Sequence, residues 1–216
     1  MPVLATSPVN SGSSTLAAEA VVRRRVKAEL RKRLRGLRST TPIEACARRS
    51  ALIVEKLAAH PAMARATGVA LYWPMIERHE VDLRALDASL RARGVRVAYP
   101  ALSESGDMQF RWVANVATLE ERGHLFLEPG EGDPVVDAAT LDVLVVPAIG
   151  ADPSGHRIGY GAGYYDRALG ALAGPRPVTI AVAYDFALLA EVPVTDGDVA
   201  ADWVVTDARV LERGGT

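Results

Sequence analysis

Leu141-Asp-Val-Leu-Val-Val146, Gly155-His-Arg-Ile-Gly-Tyr-Gly-Ala-Gly-Tyr-Tyr-Asp-Arg167 and Val178-Thr-Ile-Ala-Val-Ala183 together decide the fold. The first segment is a nearly unbroken β-branched run, which marks a strand buried on both faces at the centre of a sheet. The second is too rich in glycine for a strand. It predicts a loop that opens a helix near Tyr164–Ala173, and the third segment predicts the next strand. A strand, a glycine-rich crossover with a helix, and a second strand make a right-handed unit of a parallel sheet.

Working outward, Val69–Trp73, Val95–Tyr99, Met108–Val113 and Trp203–Thr206 read as further strands, with Pro100 ending the second of them. Leu83, Leu86 and Leu90 fall on one face of a helix that Asp82 can cap and Gly94 can end. Thr41 with Pro42 opens another helix, which Pro61 stops near His60. The turn-rich stretch from Glu128 to Asp137 reads as a surface loop. The resulting class is a three-layer, Rossmann-like α/β domain with a largely parallel sheet over residues 16–212. It is preceded by an expected disordered leader over residues 1–15.

The 216 residues carry a net charge of only −1, but residues 23–38 alone hold nine Lys or Arg against Glu29, leaving −9 elsewhere. Val26, Leu30, Leu34 and Leu37 recur at helical spacing there, so the segment predicts a basic helix with one buried apolar stripe, capped by Ser14 or Thr15. Most of its cations would be solvated. An acidic remainder without a recognisable nucleic-acid module argues against DNA or RNA as partner. No run approaches the roughly 18 apolar residues that cross a bilayer. A single cysteine, Cys46, excludes an internal disulfide and sits where packing is its expected role, which suits the cytoplasm. The four histidines show no zinc-ligand spacing.

The chemistry concentrates in the glycine-rich loop. Four glycines in nine residues are compatible with a plain tight turn, and equally with a cradle whose backbone N–H groups converge on an anion at a helix start. The loop lacks the Gly-Lys-Ser/Thr of a P-loop and the third glycine of a dinucleotide fingerprint. Its neighbours favour phosphate: Arg157 is a fixed cation, and Asp166 is a hard oxygen ligand suited to Mg²⁺. Lys27 and Arg31, one helical turn apart, can face one anion together.

At these residues the sequence resembles the 5-formyltetrahydrofolate cyclo-ligase family. The match comprises Pro147 with the loop through Arg167, Lys27-x-x-x-Arg31, Tyr72 with Glu80-Val-Asp82, Glu128-Pro129 after Phe126, and Pro193 with Asp198-x-x-x-Asp202-x-x-x-Thr206. The resemblance implies ATP-dependent closure of 5-formyltetrahydrofolate to 5,10-methenyltetrahydrofolate, with Mg²⁺ as cofactor and a monomer or weak dimer as the working unit. It implies ATP contacts at Lys27, Arg31, Arg157, Ile158, Gly159, Tyr160, Gly161, Ala162, Gly163, Tyr164 and Tyr165, and substrate contacts at Met75, Glu80, Tyr160 and Tyr164. Arg157 and Tyr164 would take part in catalysis, and Asp166 and Asp198 would hold Mg²⁺. Trp73, Trp112 and Phe126 are candidates to pack the substrate's flat rings. Ala162, Leu83, Thr195 and Gly197 depart from the family pattern, which leaves a non-catalytic nucleotide- or folate-binding protein as the competing reading.

Overall fold

A computed structural model describes residues 11–122, 126–172 and 176–215. In chain order the helices and strands are α1 (Ser11–Thr40), α2 (Ile43–Ala59), α3 (Pro61–Arg65), β1 (Gly68–Ala70), α4 (Arg84–Ala92), β2 (Arg96–Leu102), β3 (Met108–Trp112), β4 (Glu120–Glu121), β5 (Leu127–Glu128), β6 (Val135–Val136), β7 (Val143–Pro147), β8 (Gly150–Ala151), β9 (Arg157–Ile158), α5 (Tyr164–Gly170), β10 (Val178–Val182), β11 (Trp203–Val205) and β12 (Val210–Glu212). The main sheet runs in the order β12-β11-β10-β7-β1-β2-β3-β6. Its five central strands, β11 to β2, are parallel, and β12, β3 and β6 add antiparallel edges. The α/β class and the central position of β7 are as the sequence indicates.

Alternation along β7 divides the core. Val143 and Val145 join Ile180 and Val182 of β10 under Ile53 and Leu57 of α2 and Leu86 and Leu90 of α4. Leu144 and Val146 point the other way, to Ala181, Val204 and Leu169 of α5. Each of these four β7 side chains is fully buried, and burial of a Val or Leu is worth about 1.5–3 kcal/mol relative to exposure. A third cluster joins Leu34 of α1 to Ile149 and Ile158, just past the carboxyl end of β7. That cluster brings the N-terminal helix to the edge where open parallel sheets bind ligands.

Several local expectations change. Pro100 does not end β2; the strand continues to Leu102, and Pro100 pairs with Phe110 of β3 beyond the last residue that β2 shares with β1. A proline is tolerated there because no β1 carbonyl waits for its missing N–H. Strand β12 was not anticipated. The stretch expected to be a surface loop holds β6 and the end of β5, with Glu128 buried so that its Oε2 accepts from Leu102 N–H at 2.7 Å. Asp82 accepts from Arg84 N–H at 3.0 Å, but Leu83 occupies the cap of α4. Thr41 does not cap α2; its hydroxyl donates back to Leu37 O, and Pro42 takes the cap position. Helix α1 begins by Ser11, inside the stretch expected to be a leader, whose first ten residues lie outside those described.

The largest correction concerns the face of α1. Val26 and Leu37 are 41% and 45% exposed, whereas Lys27, Leu34 and Arg38 are buried. The inward face is therefore Lys27, Leu34 and Arg38, with Leu30 and Arg31 half-buried beside them, so it keeps two of the expected leucines and adds three cations. The helix turns this face inward because polar partners, described next, satisfy its charges.

Candidate active site

The loop from Gly155 to Gly163 leaves the short ribbon of β8 and β9 and reaches α5. Gly161 sits at φ +109, and a Cβ there would stand 3.4 Å from the Arg31 guanidinium carbon. Both the backbone angle and the close cation call for glycine. Arg31 Nε donates to Gly159 O at 2.7 Å, fastening α1 to this loop. Burial, with the Arg35 charge adding to it, pulls the Arg31 pKa below its usual value. A guanidinium keeps its proton regardless, so the site carries positive charge in want of an anion.

Around the loop lies a cavity of about 960 Å³, at the upper end of small-molecule pockets. Every residue named above as an ATP, substrate or metal contact lines it except Ile158. Ile158 is fully buried in the cluster with Leu34, and its carbonyl accepts from Ile149 N–H at 2.7 Å. Its side chain seats the loop against that cluster. Trp73 and Phe126 border the cavity, whereas Trp112 does not. Trp112 packs instead against the core beside Gly68, with the Arg96 guanidinium 4.3 Å above its ring.

The two aspartates hold cations already present in the chain. Asp198 Oδ2 accepts from Lys27 Nζ at 2.6 Å, from Thr195 N at 2.6 Å and from Thr195 Oγ1 at 2.9 Å. Burial alone would raise its pKa, but Lys27 and the Thr195 donors hold it below the usual carboxylate value. Asp166 Oδ1 accepts from Arg157 Nη2 at 2.7 Å and Val199 N at 3.1 Å. Arg157 also donates to Val199 O at 2.6 Å, and its side chain is 5% exposed. Asp166 is thus built into the wall rather than standing free in solvent. Each carboxylate has its second oxygen, Oδ1 of Asp198 and Oδ2 of Asp166, outside these bonds. Two such hard oxygens on one cavity suit a divalent cation.

At the other end, Glu80 is buried. Its Oε2 accepts from Met75 N at 2.9 Å and its Oε1 from the Tyr160 hydroxyl at 2.6 Å. Burial raises the Glu80 pKa against the opposing pull of these donors and of Arg38 and Arg78. Burial likewise pushes the Tyr160 phenol up to about 12. Arg38 Nη2 donates to the Tyr160 oxygen at 2.5 Å. Arg38 was missed from sequence, although its spacing from Lys27, Arg31 and Leu34, at steps of four, three and four, carried the signal. Arg78 and Asp196 also line the cavity without having been singled out.

With this geometry in place, the comparisons with known proteins give one answer. The model of the 5-formyltetrahydrofolate cyclo-ligase family matches residues 23–207. The chain belongs to the 5-formyltetrahydrofolate cyclo-ligase family. It is 28% identical over 191 residues to a 5-formyltetrahydrofolate cyclo-ligase of Mus musculus, covering 85% of this chain and 92% of the relative. It is 29% identical over 160 residues to that of Escherichia coli K12, covering 68% and 88%. Among solved structures, the Aquifex aeolicus 5,10-methenyltetrahydrofolate synthetase superposes with a TM-score of 0.77 at 28% identity, covering 88% of this chain and 94% of that one. The chain is accordingly an enzyme of folate metabolism. No helix among the described residues is long and apolar enough to cross a membrane.

Proposed function

We propose that the protein catalyses ATP- and Mg²⁺-dependent cyclisation of 5-formyltetrahydrofolate to 5,10-methenyltetrahydrofolate, releasing ADP and phosphate. The observation that carries this reading is the hydrogen bond from Tyr160 to Glu80, which joins the glycine-rich loop and the turn carrying Glu80 in one cavity. A formyl amide oxygen is a poor leaving group. Its attack on the γ-phosphorus of ATP expels ADP and leaves the oxygen as a phosphate ester; N10 then attacks the formyl carbon, gives up its proton to solvent, and inorganic phosphate departs.

Such a reaction asks the protein for position, charge neutralisation and exclusion of water. Lys27, Arg31 and the backbone from Arg157 to Tyr165 bind and align the triphosphate, with Ile158 acting by seating the loop. Arg157, fixed by Asp166 and Val199 O, offers charge to the transferring phosphoryl group. Tyr164, at the start of α5, stands toward the formyl end. Glu80 accepts hydrogen bonds from substrate nitrogens, and Met75 with Tyr160 walls the same pocket. Asp166 and Asp198 would hold Mg²⁺, which supplies charge neutralisation on the phosphate oxygens. Buried Cys46 fits the reducing cytoplasm, and nothing in the proposal requires more than a monomer or weak dimer.

The test is direct: pure protein with 5-formyltetrahydrofolate, ATP and Mg²⁺ should develop methenyl-folate absorbance and release ADP in equal amount. A folded sample that binds both substrates without turnover would overturn this reading in favour of a binding protein.

A further inference from the structure

The hydrogen-bond chain Arg38–Tyr160–Glu80 has a direction that its chemistry dictates. A guanidinium has donors only, so the Tyr160 oxygen must accept from Arg38. The phenol owns one proton, retained at any working pH because its pKa lies near 12. That proton must therefore go to Glu80 Oε1. Glu80 Oε2 accepts from Met75 N–H. Both carboxylate oxygens are thus addressed as acceptors, the arrangement an ionised carboxylate needs in a buried place.

The backbone of Arg38 fixes the same junction from the other side. Its carbonyl lies 3.1 Å from His79 Nδ1, and His79 holds a left-handed φ of +52 immediately before Glu80. The last turns of α1, the turn carrying Glu80 and the glycine-rich loop therefore meet at one arginine. Arg35 and Arg78 stand 5.9 Å and 5.6 Å from the Tyr160 ring centre, but among the described residues neither donates to its hydroxyl.

We propose that Arg38 is a positioning residue for the folate end of the reaction: it sets the direction of the Tyr160 hydroxyl and thereby holds Glu80 as an ionised, oriented acceptor on the cavity wall. Arg38 does not line the cavity and touches no substrate; it acts through Tyr160. The groups facing Glu80 are Tyr160 from the loop, Arg38 from α1, Arg78 from its own turn, and the phenols of buried Tyr72 and partly buried Tyr165. Tyr184 donates to the Glu80 backbone oxygen at 3.1 Å. Of these, Arg38 and Arg78 are the cations, and only Arg38 reaches the hydroxyl that bonds the carboxylate.

The inference rests on the proposed cyclo-ligase reading, and the experiment separates the two. Wild type must first turn over 5-formyltetrahydrofolate; if it does not, the functional reading fails. With turnover established, Arg38→Met should raise the KM for 5-formyltetrahydrofolate roughly tenfold while leaving the KM for ATP within about twofold. Removing the cation raises the Glu80 pKa further, so the acid limb of kcat/KM for the folate should move to higher pH. Arg38→Lys, which keeps a cationic donor, should leave that limb at its wild-type position. In a Tyr160→Phe background, Arg38→Met should change the folate KM by less than about twofold, because the route of its action is gone. Circular dichroism checks the fold; if Arg38→Met is unfolded, Arg38→Gln takes its place in the same cycle. Additive effects of the two substitutions, an unmoved acid limb, or an equal rise in both KM values would overturn the proposal.

Discussion

Lys27 Nζ and Asp198 Oδ2 stand 2.6 Å apart although 171 positions separate them in the chain. Both residues line the cavity on the side proposed to take the triphosphate, and both side chains are largely withdrawn from solvent, at 11% and 20% exposure. Replacing Lys27 with Met should remove a cation from the proposed triphosphate site and leave Asp198 without its counter-charge. The expected result is a rise in the KM for ATP of about tenfold to a hundredfold, the scale of one charge-assisted hydrogen bond. Steady-state kinetics with each substrate varied in turn would check it, and a selective folate defect would contradict it.

Asp166 gives a second prediction. As an exposed ligand it would be replaceable by Ala at little cost to folding. The structure instead pairs it with the buried Arg157 and with Val199 N–H. Removing one partner of such a pair costs about 3 kcal/mol, which for a chain of this size lowers Tm by roughly 6–12 °C. Asp166→Ala should show that drop in a thermal melt. Asp166→Asn, which can still accept from Arg157, should lose less than half as much Tm while still impairing use of Mg-ATP.

Gly155 should prove as demanding as any glycine in the loop, for a steric reason. Its φ is +84, and a Cβ there would collide with the backbone oxygen of Ala201, whose N–H in turn donates to Gly155 O at 2.9 Å. Backbone cannot swing aside as a side chain can. Gly155→Ala should therefore destabilise by about 2 kcal/mol or more. Urea unfolding would measure this, and an unchanged midpoint would refute it.

His60 should give the fold an acid-sensitive point. Its ring is buried edge-on to Trp203, its Nδ1 accepts from Ala62 N–H, and its Nε2 has no hydrogen-bond partner among the described residues. Burial lowers its pKa, with Glu212 opposing. A histidine whose folded pKa lies below its unfolded value of about 6.5 favours folding when neutral. Its contribution is present above that pH and is lost as pH falls through the lower, folded value. Urea midpoints taken from pH 7.5 down to 5 should decline more steeply in wild type than in His60→Asn, which keeps a capping acceptor without the titration. Parallel declines would count against the assignment.

How much of this was legible in the sequence depended on whether burial and apolarity coincide. They do in β7 and β10, where β-branched runs announce strands covered on both faces. They do not in α1, where Val26 and Leu37 are exposed while Lys27 and Arg38 are buried against Asp198 and Tyr160. A periodicity count that treats cations as surface residues rotates such a helix away from its true face. The loop and its glycines were legible because local chemistry defines them. Arg38 was not, because its meaning depends on a tyrosine 122 positions later. The trace of β12 was faint for another reason: three residues at a sheet edge need little pattern to pair.

The dependence of α1 on distant partners also sets a timetable for synthesis. The helix leaves the ribosome well before its partners: Arg31 and Arg38 wait for Gly159 and Tyr160, and Lys27 waits for Asp198. A nascent chain stalled before Gly159 would carry a basic arm whose inward cations had nowhere to dock, so the wall that α1 and the glycine-rich loop build together can close only late in manufacture.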